Sequence, residues 1–217
     1  MHSFRFSRKT LLLGSLLFLG ASLVLTTLQI RAHSADAYAL LEDPLFENAC
    51  FIGDSFTNGL KTYTKLEAYF IEEVGMTLAK GLQRLPELDA MEPSRFFILL
   101  GINDLGHGYT TKEFLELYGQ MIQEIKDRFP KAPIYVQAIA PVTATRSIDD
   151  PAHSNEKINE FNQALKDFAR QERLKFLDPW SLFKDDGALR SSDSSDGLHL
   201  EYSGYFVWLD QIRRLAR

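Results

Sequence analysis

The chain has 217 residues, 45% of them hydrophobic and 12% aromatic, which is enough for one sizeable core and too short for two ordinary domains. A formal charge of −5 argues against nucleic acid as a partner, because phosphate binding needs a basic surface. The single cysteine, Cys50, excludes an internal disulfide and a cysteine-rich zinc site.

Residues 1–32 differ in composition from the rest. Arg5, Arg8 and Lys9 precede an uncharged run over residues 11–30. As a helix rising about 1.5 Å per residue, that run reaches roughly 30 Å, the thickness of a bilayer core. A signal peptide has an apolar region of only about 7–15 residues, so the length predicts an uncleaved, single-pass membrane anchor. Cleavage remains the alternative, since residues 35–37 and 37–39 both offer the small-residue pattern a signal peptidase cuts. Three basic residues before the run, against Arg31 alone just after it, put the amino terminus in the cytoplasm and the remaining domain outside. Without residues 1–35 the chain keeps 20 basic and 29 acidic side chains, a formal charge of −9.

Residues 33–47 read as a tether, and a catalytic-size domain follows over residues 48–217. Its first strand is the apolar run 48–52, which turns sharply at Gly53-Asp54-Ser55 into a helix-compatible stretch. Residues 65–72 read as a second strand ending before Gly75, and residues 77–85 as a weak helix. A continuous apolar run over residues 95–100 has the pattern of a strand covered on both faces, and ends at Gly101-Ile102-Asn103-Asp104. Thr110 and Glu113 form a candidate capping box for an amphipathic helix that Pro130 stops. Residues 133–140 are a fourth strand, helical spacing follows Ser154, and residues 174–177 are a fifth strand. A long, weakly apolar loop over residues 178–195 leads to a last helix lined by Tyr205, Phe206, Leu209, Ile212 and Leu215. Alternating strands and helices force parallel pairing, so the expected fold is α/β: a three-layer α/β/α sandwich around a five-stranded parallel sheet.

That topology gathers Ser55, Gly75, Asn103 and the loop after residue 140 along one sheet edge, where open α/β sheets carry their chemistry. Acyl transfer needs a nucleophile, a base, a group that orients the base, and donors for the oxyanion. Ser55 suits the first role; the Ser55 and Gly75 backbone N–H groups and the Asn103 amide suit the last, with Gly81 as a weaker substitute for Gly75. Gly75 and Asn103 are also ordinary turn residues. Three Asp–x–x–His pairs compete for the remaining roles: Asp104 with His107, Asp150 with His153, and Asp196 with His199. Spacing does not choose among them.

Gly53-Asp54-Ser55, Gly75, Gly101-Ile102-Asn103-Asp104 and Asp196-Gly197-Leu198-His199 together resemble, in order, blocks I, II, III and V of the SGNH (GDSL-type) hydrolases. Phe56 stands where the four-letter name of that family has leucine. The resemblance implies a flavodoxin-like fold and a serine esterase or lipase-type acyl hydrolase that needs no metal or cofactor. It also implies Ser55 as nucleophile, His199 as base and Asp196 as its partner. A conventional α/β-hydrolase needs G-x-S-x-G, and Thr57 occupies the last glycine position. The expected substrate is a small-molecule or glycan acyl ester, such as an O-acetyl group on an envelope glycan. An acyltransferase using the same residues and a non-catalytic glycan-binding module are the competing readings.

Overall fold

Five short runs rich in Phe, Ile, Leu and Val become parallel strands: β1 (Ala49–Gly53), β2 (Tyr69–Glu72), β3 (Arg95–Leu99), β4 (Ile134–Gln137) and β5 (Lys175–Leu177), in the order β2-β1-β3-β4-β5. A computed structural model describes residues 38–217, and residues 41–217 form one compact unit. The expected anchor at residues 1–32 lies outside the described residues. Among those described, no helix is long and apolar enough to cross a membrane.

Successive side chains of a strand point to opposite faces, and here the two faces have different chemistry. Cys50, Ile52, Phe96, Ile98 and Val136 fall on one side, in a core with the helices α2 (Leu78–Arg84), α4 (Thr111–Arg128) and α6 (Asn155–Gln171). The other side carries an aromatic row that follows the strand register: Phe70, Phe51, Phe97 and Tyr135 stack with centroids 5.5, 4.9 and 4.7 Å apart. Over that side α1 (Ser55–Thr64) and α7 (Tyr202–Ala216) pack on each other. The result is the expected three-layer sandwich. Burial pushes the Cys50 thiol up to about 12, so it behaves as a small apolar side chain.

The capping box at Thr110 forms as its spacing predicts, with the Thr110 hydroxyl accepting from the Glu113 N–H and the Glu113 carboxylate accepting from the Thr110 N–H. Elsewhere the boundaries move. Residues 65–68 are not strand, because Lys65 caps α1 with φ +58° and the chain pairs only from Tyr69. The fourth strand stops at Gln137. Beyond it the Ile139 N–H and C=O are taken by the side-chain amide of Asn162, at 2.7 and 2.9 Å, so the backbone is satisfied without a neighbouring strand.

Residues 41–47, expected as part of a tether, belong to the compact unit. Phe46 is buried with its ring 6.1 Å from Phe51 and 6.0 Å from Phe97, and the buried Asp43 pairs with Arg217. The last helix buries Tyr205, Leu209 and Ile212 as expected and adds Trp208 and Ala216, while Phe206 is half-buried and Leu215 exposed.

Candidate active site

The carboxyl ends of β1, β2 and β3 deliver Ser55, Gly75 and Asn103 to one edge, as the parallel topology requires. Ser55 is the first residue of α1, and Asp54 is the helix N-cap, its Oδ1 accepting from the Phe56 N–H at 3.0 Å. Such a first turn has free N–H groups and a positive dipole end, a setting suited to developing negative charge. Asn103 lies in the short helix α3 (Ile102–Gly106), whose N-cap Gly101 has φ +134°. A side chain at Gly101 would be strained by that φ and would put its Cβ 2.5 Å from Ile139 Cδ1.

The loop after β5 brings in the rest. Residues 178–195 are ordered by short 3₁₀ turns and a small hairpin, β6 (Lys184–Asp185) with β7 (Ala188–Leu189). Asp196 then folds the chain around its own carboxylate: Oδ1 accepts from the Leu198 and His199 N–H groups at 2.9 and 2.8 Å, and from the Ser194 hydroxyl at 3.2 Å. The second oxygen, Oδ2, lies 2.7 Å from His199 Nδ1. Across the imidazole ring, His199 Nε2 is 2.8 Å from Ser55 Oγ. A carboxylate only accepts, so the ring proton sits on Nδ1 and Nε2 is left to accept from the serine. Partial burial works against the Asp196 charge, but the bonds from the His199 ring and the two backbone N–H groups outweigh it, and the carboxyl titrates well below the usual range.

The other two Asp–x–x–His pairs have different fates. Asp104 is fully buried and spends its carboxylate on the Leu78 N–H at 3.0 Å, while His107 turns to the Asn103 carbonyl at 2.6 Å. Asp150 and His153 do pair, at 2.7 Å, and the His153 ring packs against Gly106 rather than against a serine. Three-dimensional position thus separates what spacing leaves equal.

Asn103 donates through Nδ2 to the Met76 carbonyl at 3.1 Å and, more weakly, to Asp54 Oδ2 at 3.4 Å. It is tied in this way to the neighbour of Ser55 and to the neighbour of Gly75. Gly75 itself is an exposed turn residue with φ +79°, and it makes no direct contact with Ser55 among the described hydrogen bonds. Burial pushes the Asp54 carboxyl up to about 7, with nearby Asp104 adding to the effect, and burial raises Asp104 to about 6. For Asp54 the folded value lies above the unfolded one near 4, so stability falls as the pH rises through that window. The fold tolerates this cost directly beneath the site.

Two features of the site were not read from sequence. Phe56 is 1% exposed and sets its ring 5.5 Å from that of His199, while Trp180 and Trp208 pack behind Phe56 at 5.7 and 6.4 Å. The departure from leucine therefore puts an aromatic ring under the histidine. A cavity of about 380 Å³ opens beside Ser55 and His199, and a larger cleft of about 690 Å³ shares Ser195 and Asp196 with it but contains neither Ser55 nor His199. Size alone would have misplaced the site.

The sequence profile of the GDSL-like Lipase/Acylhydrolase family matches residues 51–206, from β1 through the serine, asparagine and histidine positions into α7. The chain belongs to this family. Solved structures of GDSL-like lipases and acylhydrolases share its fold. A GDSL-like lipase from Bacteroides thetaiotaomicron superposes with a TM-score of 0.66 at 19% identity, over 85% of this chain and 95% of that one. A catalytic mutant of an acetylxylan esterase from Geobacillus stearothermophilus gives 0.60 at 17% identity, over 77% and 92%. In sequence, the chain is 28% identical over 172 residues to an N-acylneuraminate cytidylyltransferase of Streptococcus agalactiae, covering 76% of this chain and 39% of that protein. The chain thus spans well under half the length of that relative.

Proposed function

We propose that the chain cleaves a small acyl ester, an O-acetyl group on an envelope glycan, through an acyl-enzyme at Ser55. The observation that carries the reading is the hydrogen-bonded line from Ser55 Oγ through His199 to Asp196, at 2.8 and 2.7 Å. His199 Nε2 takes the Ser55 proton as Oγ attacks the ester carbonyl carbon. The carbonyl oxygen gains negative charge against the first-turn N–H of Ser55, the Gly75 N–H and the Asn103 amide. The imidazolium then gives its proton to the departing alcohol oxygen, leaving Ser55 acylated. A water deprotonated by His199 attacks the acyl carbon, the acid leaves, and Ser55 recovers its proton. Asp196 holds the ring in the required tautomer and stabilises its charged form. None of these steps calls on a metal or a cofactor.

The acetylated-sugar reading draws support from the name of one structural neighbour, an acetylxylan esterase, and its sugar half from the neuraminate in the name of the streptococcal relative, whose acyl group is on nitrogen. Nitrophenyl esters of increasing acyl length test it with the full chain in detergent. Turnover should be highest with acetyl and fall as the chain lengthens. A maximum at long acyl chains would replace the reading with a lipase, and acyl transfer to added alcohols in preference to water would make the chain a transferase.

Asn103→Ala tests the oxyanion assignment. Loss of one such donor typically lowers kcat by about 10²–10³ with little change in KM. The Asp54 bond at 3.4 Å is long, so that amide proton is free to turn toward a developing oxyanion. A raised KM with normal kcat would place Asn103 in substrate binding instead.

A further inference from the structure

Tyr63 and Tyr202 stand 44% and 59% exposed on the wall of the 380 Å³ cavity that Ser55 and His199 also line. We propose that these two rings, nearly perpendicular to each other, form an angled aromatic platform for the sugar ring carrying the ester, so that the alcohol half of the substrate lies against Tyr63 and Tyr202. The inference rests on the glycan-ester reading above and adds which residues hold the glycan, and on which side of the serine.

The rings are held in place before any ligand arrives. Tyr205, 2% exposed, backs Tyr63 at 5.1 Å, and Tyr202 meets Tyr63 edge-on at 5.7 Å with an interplanar angle of 84°. Phe206 in turn supports Tyr202 at 5.7 Å. Tyr205 reaches this position only because residue 59 is glycine: a Cβ there would lie 2.4 Å from the Tyr205 ring. Side chains already ordered in this way lose little freedom on binding, which is how preorganisation raises affinity.

The side follows from the proton transfers. His199 must protonate the departing oxygen, so the alcohol has to lie next to His199, and the tyrosine wall belongs to the same cavity as His199. Asn103, the proposed oxyanion donor, is not part of that wall. The ligand class follows from the mixture of groups. A pyranose has an apolar C–H face and a rim of hydroxyls, which match aromatic faces flanked by Asn58, Ser195 and Glu201. A long acyl chain laid in the same cavity would strip water from those polar groups without replacing its hydrogen bonds.

The test compares a mono-O-acetylated methyl glycopyranoside with ethyl acetate, using the full chain in detergent and reading the ratio of the two kcat/KM values. A folded site is verified in every variant by fluorophosphonate labelling of Ser55. Tyr63→Ala and Tyr202→Ala should each lower the ratio by about tenfold, chiefly through KM for the glycoside, the size expected for one lost aromatic contact. Tyr63→Phe and Tyr202→Phe keep the ring faces and should hold the ratio within about twofold of the parent. An unchanged ratio in both alanine variants would overturn the platform while leaving the glycan-ester reading intact. Phenylalanine variants as damaged as the alanine ones would overturn it too, since the hydroxyls and not the ring faces would then be the contact. A parent chain that cleaves ethyl acetate but not the glycoside would defeat the platform and the glycan reading together.

Discussion

Ser55→Ala should lower turnover of an activated acetate ester by about 10⁶-fold and abolish labelling by a fluorophosphonate, a loss of the size found when a serine hydrolase loses its nucleophile. The substitution removes one oxygen and leaves the scaffold alone. Alanine suits the first position of α1, and the Asp54 cap uses the Phe56 N–H, not the serine hydroxyl. His199 keeps its bond to Asp196 and its packing on Phe56. Thermal stability should therefore stay near that of the parent, which separates lost chemistry from lost folding. Residual hydrolysis would come from the oxyanion donors and binding alone. A variant that retained the label, or turned over within tenfold of the parent, would remove Ser55 from the nucleophile position.

Much of this arrangement is legible in the sequence because its signals are local. A run such as Phe96-Phe97-Ile98-Leu99 has the pattern of a strand covered on both faces, and Thr110 with Glu113 marks a helix start by reciprocal hydrogen bonds that need no tertiary partner. The Asp196 turn is local too, its carboxylate holding residues 196–199, but the same spacing recurs at Asp104 and Asp150, so sequence spacing alone does not single this pair out. What stays hidden depends on partners far along the chain. Trp180 lies in a stretch with little apolar content, yet it is fully buried, because its indole N–H finds the Ala138 carbonyl at 2.6 Å and its ring stacks on Trp208. Trp208 in turn donates to the buried Gln137 of β4 at 3.0 Å, a distant partner that adds Trp208 to the face on which Leu209 and Ile212 are buried.

The buried carboxylates are hidden for a related reason. Asp54 and Asp104 read as turn residues from sequence, and each does accept a backbone N–H, from Phe56 and Leu78. Nothing local reveals that both are sealed from water, or that Asp54 is tied to the Asn103 amide. Their raised carboxyl values, about 7 and about 6, mark a place where the fold gives up stability at neutral pH to keep acceptors under the serine turn. An apolar pair would pack there at lower cost, but it would leave α1 uncapped and the Asn103 amide with one acceptor fewer.

His199→Ala should cost on the order of 10⁴ or more in turnover, whereas His107→Ala and His153→Ala should stay within roughly tenfold of the parent. Among the described residues, only His199 has a ring nitrogen within hydrogen-bond reach of Ser55. His107 bonds a backbone carbonyl in α3, and its removal frees that carbonyl to water at an exposed position. His153 is paired with Asp150, which also takes the Arg146 guanidinium at 3.2 Å, so that cluster keeps one of its ion pairs when the imidazole is lost. The Asp196 partner gives a second reading of the same assignment. Asp196→Asn presents an amide to Nδ1 and turns the ring to the wrong tautomer, so it should lower turnover by about 10⁴ with the serine still in place. Because the Asp196 carboxyl titrates well below the usual range, protonation of this residue should not limit activity on the acid side down to about pH 4. A crippled His153→Ala beside an active His199→Ala would move the base to the Asp150–His153 pair, and with it the catalytic centre toward the face of α3 that carries Gly106.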